Sequence, residues 1–103
     1  MADFQNDEGH LEFTWDPNKA TSNESKHGVS FEEASTVFRD PLARIFDNEI
    51  HSIEEPREII IGHSTRNRLL LVCFTERGNK PHIFSARPAT RRERQDYERH
   101  TWL

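Results

Sequence analysis

Long apolar segments are missing from this sequence of 103 residues. The longest apolar run, LLLVCF at Leu69–Phe74, is far shorter than the roughly 20 residues that a membrane-spanning helix requires. Residues 1–10, MADFQNDEGH, are acidic and lack the basic and apolar regions of a secretory signal peptide. We therefore expect a protein without a membrane segment that resides in the cytoplasm.

Cysteine is also scarce, and the histidines are scattered. The single cysteine, Cys73, lies within the apolar run, which excludes a disulfide framework and predicts a buried thiol in a reducing compartment. The six histidines show neither the HxH nor the HxxxH spacing of metal sites. The sequence contains no glycine-rich loop of the kind that cradles phosphate. We therefore expect no metal and no cofactor.

Apolar residues make up only 33% of the sequence, hardly more than the 31% that are charged. The chain is too short to divide into two domains that each bury a useful core. Seven Phe, two Trp and one Tyr supply much of the bulk of the core that we expect. We predict a flexible leader at residues 1–10 and a single domain at residues 11–103.

Capping residues predict the first two helices. Asp16 suits the N-cap and Pro17 the first turn of a helix that Gly28 ends. The body of this helix is polar, so the helix should be partly exposed. Ser30 and Glu33 have the spacing of a capping box for a second helix. The face of the second helix that should pack in the core carries Phe31, Ala34, Val37 and Phe38.

A period of two predicts the strands. LEFTW at residues 11–15 alternates between apolar and polar residues, as a half-buried strand does. Four further strands are predicted after the two helices, at 42–48, 57–62, 68–76 and 82–87. Gly78-Asn79 suits the hairpin turn between the last two. The strand at 68–76 is apolar on both faces, so it should be central and covered on both sides. With a last helix, this order predicts an α+β fold built on an antiparallel meander.

Positive charge is concentrated at the C-terminal end of an acidic chain. Residues 1–62 hold five Lys or Arg and fourteen Asp or Glu, a net charge of −9. Residues 63–103 hold nine and four, a net charge of +5, which brings the whole chain to −4. SARPATRRERQDYERH at residues 85–100 contains five arginines, and Thr90 with Glu93 forms the capping box of the last, basic helix. The target of this charge is nucleic acid, an acidic protein or the acidic half of the same chain.

Three segments of the sequence resemble the BrnT family, the toxin components of bacterial type II toxin–antitoxin pairs. They are FTWDPNKATSNESKHGVSFEEA, GHSTRNRLLLVCFTERG and IFSARPATRRERQDYE, and the resemblance spans about residues 11–99. KHGVSFEEA and SARPATRRER, in this order, carry most of the specificity. Positions that match the family include Lys19, Asn23, Lys26, His27, Gly28, Gly62, Arg68, Glu76, Ser85, Arg87, Glu93, Arg94 and Tyr97.

The resemblance implies a small RelE-like fold and a ribonuclease that arrests translation, with RNA as its substrate. It also implies a partner, a cognate BrnA-like antitoxin whose ribbon-helix-helix domain binds DNA and which neutralises the toxin. Operator DNA is then reached only through the antitoxin. The complex is expected to be a heterotetramer that represses its own operon.

Metal-independent RNA cleavage requires a base at the 2′-hydroxyl, an acid at the departing 5′-oxygen and cations at the phosphate. Arginine suits the last task because it stays charged and presents paired donors. The candidate ligands of the RNA phosphate are Arg87, Arg91, Arg92 and Arg94. Arg87 ranks first, because a strand end holds a side chain better than an exposed helix does. Arg87 and Arg94 are also candidate catalytic residues.

The candidates for proton transfer are Lys26, His27, Glu76 and Tyr97. Histidine is the side chain type best suited to proton transfer near neutral pH, which makes His27 a candidate. Lys26 and Tyr97 are better suited to donate a proton or to stabilise charge. Glu76, at the end of the central strand, suits either a base or a group that orients Arg87. The residues leave open which group is the acid and which is the base.

Each candidate also has a structural interpretation. His27 suits the C-terminus of the first helix, where a basic side chain faces exposed carbonyls. The helix arginines can pair with acidic neighbours on a solvated face, Glu76 can pair with a neighbouring strand, and Tyr97 can pack in the core. The alternative function is a non-enzymatic corepressor subunit whose basic helix docks an acidic partner. Non-specific binding of nucleic acid is a third interpretation, which the net negative charge disfavours.

Overall fold

The computed structural model describes residues 11–48 and 55–101 of the chain. The predicted leader at residues 1–10 and the last two residues lie outside the described residues. The elements, in chain order, are β1 (Thr14–Trp15), α1 (Pro17–His27), α2 (Phe31–Thr36), a 3₁₀ turn (Val37–Arg39), β2 (Arg44–Asp47), β3 (Glu58–His63), β4 (Leu69–Arg77), β5 (Lys80–Pro88) and α3 (Arg91–Thr101). This order confirms the predicted α+β class.

The strands form one mixed sheet in the order β1-β5-β4-β3-β2. Strands β2 to β5 pair antiparallel, which confirms the predicted meander and the central position of β4. The first strand is shorter than predicted, because only two of its residues pair, in parallel, with His82 and Ile83 of β5. The chain leaves the sheet at Asp16, whose carboxylate accepts the Asn18 N–H at 2.8 Å and so caps α1.

Asn23 docks α1 against the edge of β5. Its side-chain amide donates to the Ala86 carbonyl at 2.8 Å and accepts the Ala86 N–H at 3.0 Å, as a neighbouring strand would. The same amide nitrogen donates to the Val29 carbonyl at 2.9 Å. Asn23 is buried while most of α1 is exposed, which confirms the predicted exposure of this helix. A polar contact, rather than an apolar stripe, therefore holds α1 on the sheet.

The side chains of β4 alternate between two apolar layers. The face toward α1 and α2 contributes Leu70, Val72 and Phe74 to the main core. On the opposite face, Leu69 and Leu71 pack with Tyr97 of α3. Cys73, further along this second face, is half-buried rather than buried, so its predicted burial is wrong. The second layer covers one end of the face and leaves the other end open.

Glu33 of α2 makes a different contact from the one that its spacing predicts. Ser30 Oγ accepts the Glu33 N–H at 3.0 Å, which is one half of the predicted capping box. The carboxylate of Glu33 turns to Arg68 instead, whose Nε donates to it at 2.9 Å and whose Nη2 donates to it as well. Ser64 Oγ donates to the same carboxylate at 2.7 Å. Glu33 thereby ties α2 to the turn between β3 and β4.

Gly62 of β3 lies where the sheet closely approaches the segment after α2. A Cβ at this position would lie 2.8 Å from Ala43 Cβ, 3.0 Å from Asp40 Oδ2 and 3.1 Å from Val37 Cγ1. We expect Gly62→Ala to lower the free energy of unfolding, measured in urea, by about 1–3 kcal/mol, because overpacking displaces these neighbours. Adding Ala43→Gly removes the shortest contact and should recover part of the loss. An unchanged free energy of unfolding in Gly62→Ala would contradict the close approach.

Candidate functional site

A cleft of about 440 Å³ opens on the sheet face that α3 leaves partly uncovered. The strands β3, β4 and β5 contribute Ile59, Leu71, Cys73, Phe84, Ser85, Ala86 and Arg87. Helix α1 contributes Lys19 and His27. Asn48, which follows β2, and Arg57, which precedes β3, complete the lining. The fold thus gathers side chains from the beginning, the middle and the end of the chain.

The cleft is cationic. Lys19, Arg57 and Arg87 line it beside His27, and none of the described lining residues is an Asp or a Glu. Charges of one sign in a partly enclosed cleft focus the electric field and raise the local concentration of oppositely charged ligands. The site is therefore suited to phosphate groups.

Arg87, near the end of β5, is held by Glu93 in the first turn of α3. Its Nη1 and Nη2 donate to the two carboxylate oxygens of Glu93, each at 2.8 Å. Nη1 also donates to the Pro88 carbonyl at 3.2 Å. The hydrogen bonds from Arg87 lower the pKa of Glu93 to about 2, so this carboxylate is charged at neutral pH. The Arg87 side chain remains 40% exposed, which leaves an oriented guanidinium accessible at the cleft.

Glu93 has two tasks at once. Its N–H donates to Thr90 Oγ1 at 3.1 Å, and its carboxylate accepts the Thr90 N–H at 2.8 Å. These reciprocal bonds confirm the predicted capping box of α3. The same carboxylate orients Arg87, so the start of α3 and the position of this arginine depend on one side chain.

His27 is the last residue of α1. The helix ends there because Gly28 adopts a left-handed conformation, with φ of 68°, and its N–H donates to the Glu24 carbonyl. This ending places the half-buried His27 side chain at the cleft. Lys26 lines an adjoining cavity of about 200 Å³ that shares His27 and Lys19 with the cleft. The helix-end interpretation of His27 and the functional one are therefore compatible.

Glu76 lies on the other face of the sheet from Arg87. Across the β4–β5 register Arg87 pairs with Leu71, and Glu76 is five residues further along β4. Because successive side chains of a strand point to opposite faces, this odd spacing turns Glu76 away from the cleft. Glu76 is exposed, and Glu93 occupies the orienting position that was predicted for it.

Tyr97 is a core residue of α3 and is 5% exposed. Its hydroxyl donates to Asp40 Oδ2 at 3.2 Å and to the Leu42 carbonyl at 3.4 Å. Burial, together with the Asp40 carboxylate, raises the pKa of Tyr97 to about 12. The hydroxyl is therefore protonated at neutral pH and lies outside the cleft lining, which fits the packing interpretation.

Most of the chain matches a known protein family, described as "Ribonuclease toxin, BrnT, of type II toxin-antitoxin system", over residues 15–93. The chain belongs to the BrnT family. The crystal structure of the Brucella abortus ribonuclease toxin BrnT, at 1.1 Å resolution, is similar over 80% of this chain and 100% of that chain. The TM-score is 0.61 and the sequence identity 22%, a likeness that establishes the fold. No curated protein matches the chain. The predicted resemblance is confirmed, and the comparison with RelE stays a prediction.

In this BrnT-family chain the arginines of α3 lie outside the cleft lining. Arg91, Arg92 and Arg94 are exposed on the helix. Glu93, an acidic neighbour that was expected to pair with them, pairs with Arg87. Of the four predicted phosphate ligands, the structure places Arg87 at the cleft and the other three on the surface of α3.

Among the cleft residues that were not predicted as site residues are Lys19, Arg57 and Phe84. Lys19 could have been found, because it matches the family motif. The polar sequence of its helix gives no chemical reason to choose Lys19 over its neighbours as a site residue. Arg57 and Phe84 carry no sequence signal of their own. They become part of the site only because the pairing of β3, β4 and β5 brings their side chains together.

The described residues contain no group of three or more His, Cys, Asp or Glu side chains that could hold a metal ion. Cys73 lines the cleft, where burial raises the pKa of its thiol and so favours the protonated form. Within residues 11–48 and 55–101, no helix is both long enough and apolar enough to span a membrane.

Proposed function

We propose that this chain is an active toxin of its family, an endoribonuclease that cleaves RNA without a metal ion and thereby inhibits translation. The observation that carries the proposal is the cationic cleft, where Lys19, Arg57 and Arg87 accompany His27 and no described lining residue is acidic. The chain as a whole has a net charge of −4. Positive charge is therefore concentrated in the cleft and on α3 rather than spread over the whole surface, which favours a defined site over non-specific binding.

Arg87 is the proposed ligand of the scissile phosphate. When the 2′-oxygen attacks phosphorus and the 5′-oxygen departs, negative charge grows on the phosphate oxygens, and preorganised donors stabilise it. Glu93 holds the guanidinium with two hydrogen bonds of 2.8 Å, so the Arg87 side chain is already ordered before RNA binds. Lys19 and Arg57 add positive charge at the same cleft.

His27 is the residue that we assign to proton transfer in this reaction. Its imidazole lies at the cleft, and an imidazole ring has one nitrogen that can accept a proton and one that can donate a proton. Lys26, in the adjoining cavity, is placed to stabilise charge or to donate. The bond from the 2′-oxygen to phosphorus forms as the bond to the 5′-oxygen breaks and that oxygen takes a proton. One product therefore ends in a 2′,3′-cyclic phosphate and the other begins with a 5′-hydroxyl. Glu76 and Tyr97 have no chemical step in this proposal because neither lines the cleft.

The proposed partner is a BrnA-like antitoxin with a ribbon-helix-helix domain, in a heterotetramer that reaches operator DNA through the antitoxin. Exposed Arg91, Arg92 and Arg94 on α3 support this part of the proposal, because they offer a basic surface outside the cleft lining. The Glu93–Arg87 pair joins this helix to the cleft, so a partner bound to α3 would lie close to the key arginine. The same surface favours the second candidate function, a corepressor subunit without enzymatic activity.

Incubation of the purified, antitoxin-free protein with a structured RNA in EDTA tests the function. We expect cleavage that persists in EDTA and products with 2′,3′-cyclic phosphate ends. A protein carrying Arg87→Ala, purified in the same way, controls for contaminating ribonuclease. Cleavage that stops in EDTA and returns with Mg²⁺ would contradict metal independence. A folded wild type that cleaves no RNA would favour the corepressor subunit.

A further inference from the structure

Phe84 lies at an irregularity of the β4–β5 pairing. Cys73 pairs with Ser85 and Phe74 pairs with Ile83, so Phe84 has no partner on β4. A bulge of this kind re-aims a side chain relative to regular alternation. The half-buried Phe84 lines both the cleft and the adjoining cavity. It belongs to neither apolar core cluster, so packing of the core does not account for it.

Cations surround the ring of Phe84. The guanidinium carbon of Arg57 lies 4.0 Å from the ring centroid, and that of Arg77 lies 5.5 Å from it. The ammonium of Lys19 lies 5.6 Å from the same centroid. Arg77 is paired with Glu55. Lys19 and Arg57 line the cleft together with Phe84. The aromatic ring and two of the cations around it therefore line the same cleft.

We propose that Phe84, with Arg57 against it, forms a subsite that stacks an unpaired nucleobase of the RNA substrate. This inference rests on the proposed ribonuclease function and names a substrate class for it, RNA with an unpaired nucleotide at the cleavage site. Aromatic rings and guanidinium planes both stack unpaired bases. A ring flanked by cations holds the base and the backbone at once, which is how sites for single strands are built.

The subsite adjoins the proposed cleavage site along one strand. Phe84 and Arg87 are three residues apart on β5, which separates their Cα atoms by about 10 Å. The base of a nucleotide next to the phosphate held by Arg87 can therefore reach the ring. Because every base has a stackable face, the subsite selects for an unpaired base rather than for a particular one.

Binding of a fully 2′-O-methylated RNA, which lacks the attacking hydroxyl, tests the subsite. We expect Phe84→Leu to weaken binding about 5- to 150-fold, because leucine keeps apolar volume but has no aromatic face. Phe84→Trp should retain the affinity. One abasic position in the RNA should weaken binding to the wild type by a similar factor and have little further effect on Phe84→Leu, which is the coupling expected of two groups in contact.

Phe46→Leu is the matched control, because Phe46 is 48% exposed on β2 and does not line the cleft. Its binding should equal that of the wild type. Circular dichroism checks that each variant is folded, and Phe84→Trp adds a second readout, the quenching of its new indole emission by the stacked base. Wild-type affinity in folded Phe84→Leu, or an unquenched indole in Phe84→Trp, would contradict the proposed subsite but not the proposed ribonuclease function. A wild type that neither binds nor cleaves RNA would overturn both.

Discussion

Replacement of Arg87 by alanine is expected to slow RNA cleavage by about 10²–10³-fold, the effect of removing one preorganised donor from a charged transition state. Glu93 fixes the guanidinium through two hydrogen bonds of 2.8 Å, and the side chain remains 40% exposed at the cleft. Lys19 and Arg57 keep the cleft cationic in the variant, so RNA binding should fall less than the rate does. Single-turnover rates in EDTA measure the change.

Arg99→Ala is the matched control, since it removes the same charge from an exposed position of α3 that does not line the cleft. Its rate should stay close to that of the wild type. Arg87→Lys keeps the charge but loses the paired donors, so its rate should lie between those of the wild type and Arg87→Ala. A wild-type rate in folded Arg87→Ala would contradict the proposed role of this residue.

The pH dependence of the free energy of unfolding, compared between the wild type and Arg87→Ala, measures what the Arg87–Glu93 pair contributes to stability. The pKa of Glu93 is lowered from 4.5 to about 2 by Arg87, so the pair contributes stability that is present above pH 4.5. This contribution is lost as the pH falls from about 4.5 toward 2. Arg87→Ala should therefore lose less stability over this interval than the wild type does. The cleavage rates of the two proteins should therefore be compared at neutral pH, with circular dichroism to check that both are folded.

Replacement of Arg68 by methionine is expected to lower the free energy of unfolding by about 3 kcal/mol. Its partner Glu33 is only 6% exposed, and removal of Arg68 leaves this buried carboxylate with the Ser64 hydroxyl and the more distant, exposed Arg66 as its partners. This loss is at the low end of the range for removing one partner of a buried ion pair, because Arg68 itself is 36% exposed. Arg68 Nη2 also donates to the Gly28 carbonyl at 3.0 Å, so the variant should loosen the chain beside His27. Urea denaturation measures the loss.

Arg66→Ala is the control for this second prediction. Arg66 lies 3.6 Å from the same carboxylate but is 73% exposed, so its loss should cost less than about 1 kcal/mol. The hydrogen bond from Arg68 lowers the pKa of Glu33 below 4.5, so the stability that the pair contributes is present above that pH and declines below it. Equal stabilities of Arg68→Met and Arg66→Ala would show that the buried carboxylate does not need Arg68.

Helix ends could be predicted because a cap is a contact between near neighbours in sequence. Asp16 and Gly28 bound α1 as expected, and Thr90 with Glu93 begins α3. Glu33 marks the limit of this reasoning. It has the same spacing from Ser30 as Glu93 has from Thr90, yet its carboxylate binds Arg68, 35 positions away. A buried carboxylate requires a cation, and the sequence around Ser30 does not reveal which cation the fold supplies.

Arg87 could be selected as a site residue because it ends a strand in a basic motif, but its partner could not. Glu76 and Glu93 are both plausible in sequence, and the register of β4 against β5 turns the first away from Arg87. The bulge at Phe84 also escapes prediction. One unpaired residue shifts the alternation of β5, so a strict period of two assigns the faces of this strand incorrectly.

By itself the sequence determined the order of the elements, the α+β class, the basic C-terminal helix and the family. These follow from local caps, periodicity and motifs. The tertiary structure alone decided which charges meet. Asn23 seats α1 on the edge of β5, and this contact brings Lys19 and His27 to the cleft that Arg57 and Arg87 line. Such convergence depends on strand register and on packing between residues far apart in the chain, which no local pattern specifies.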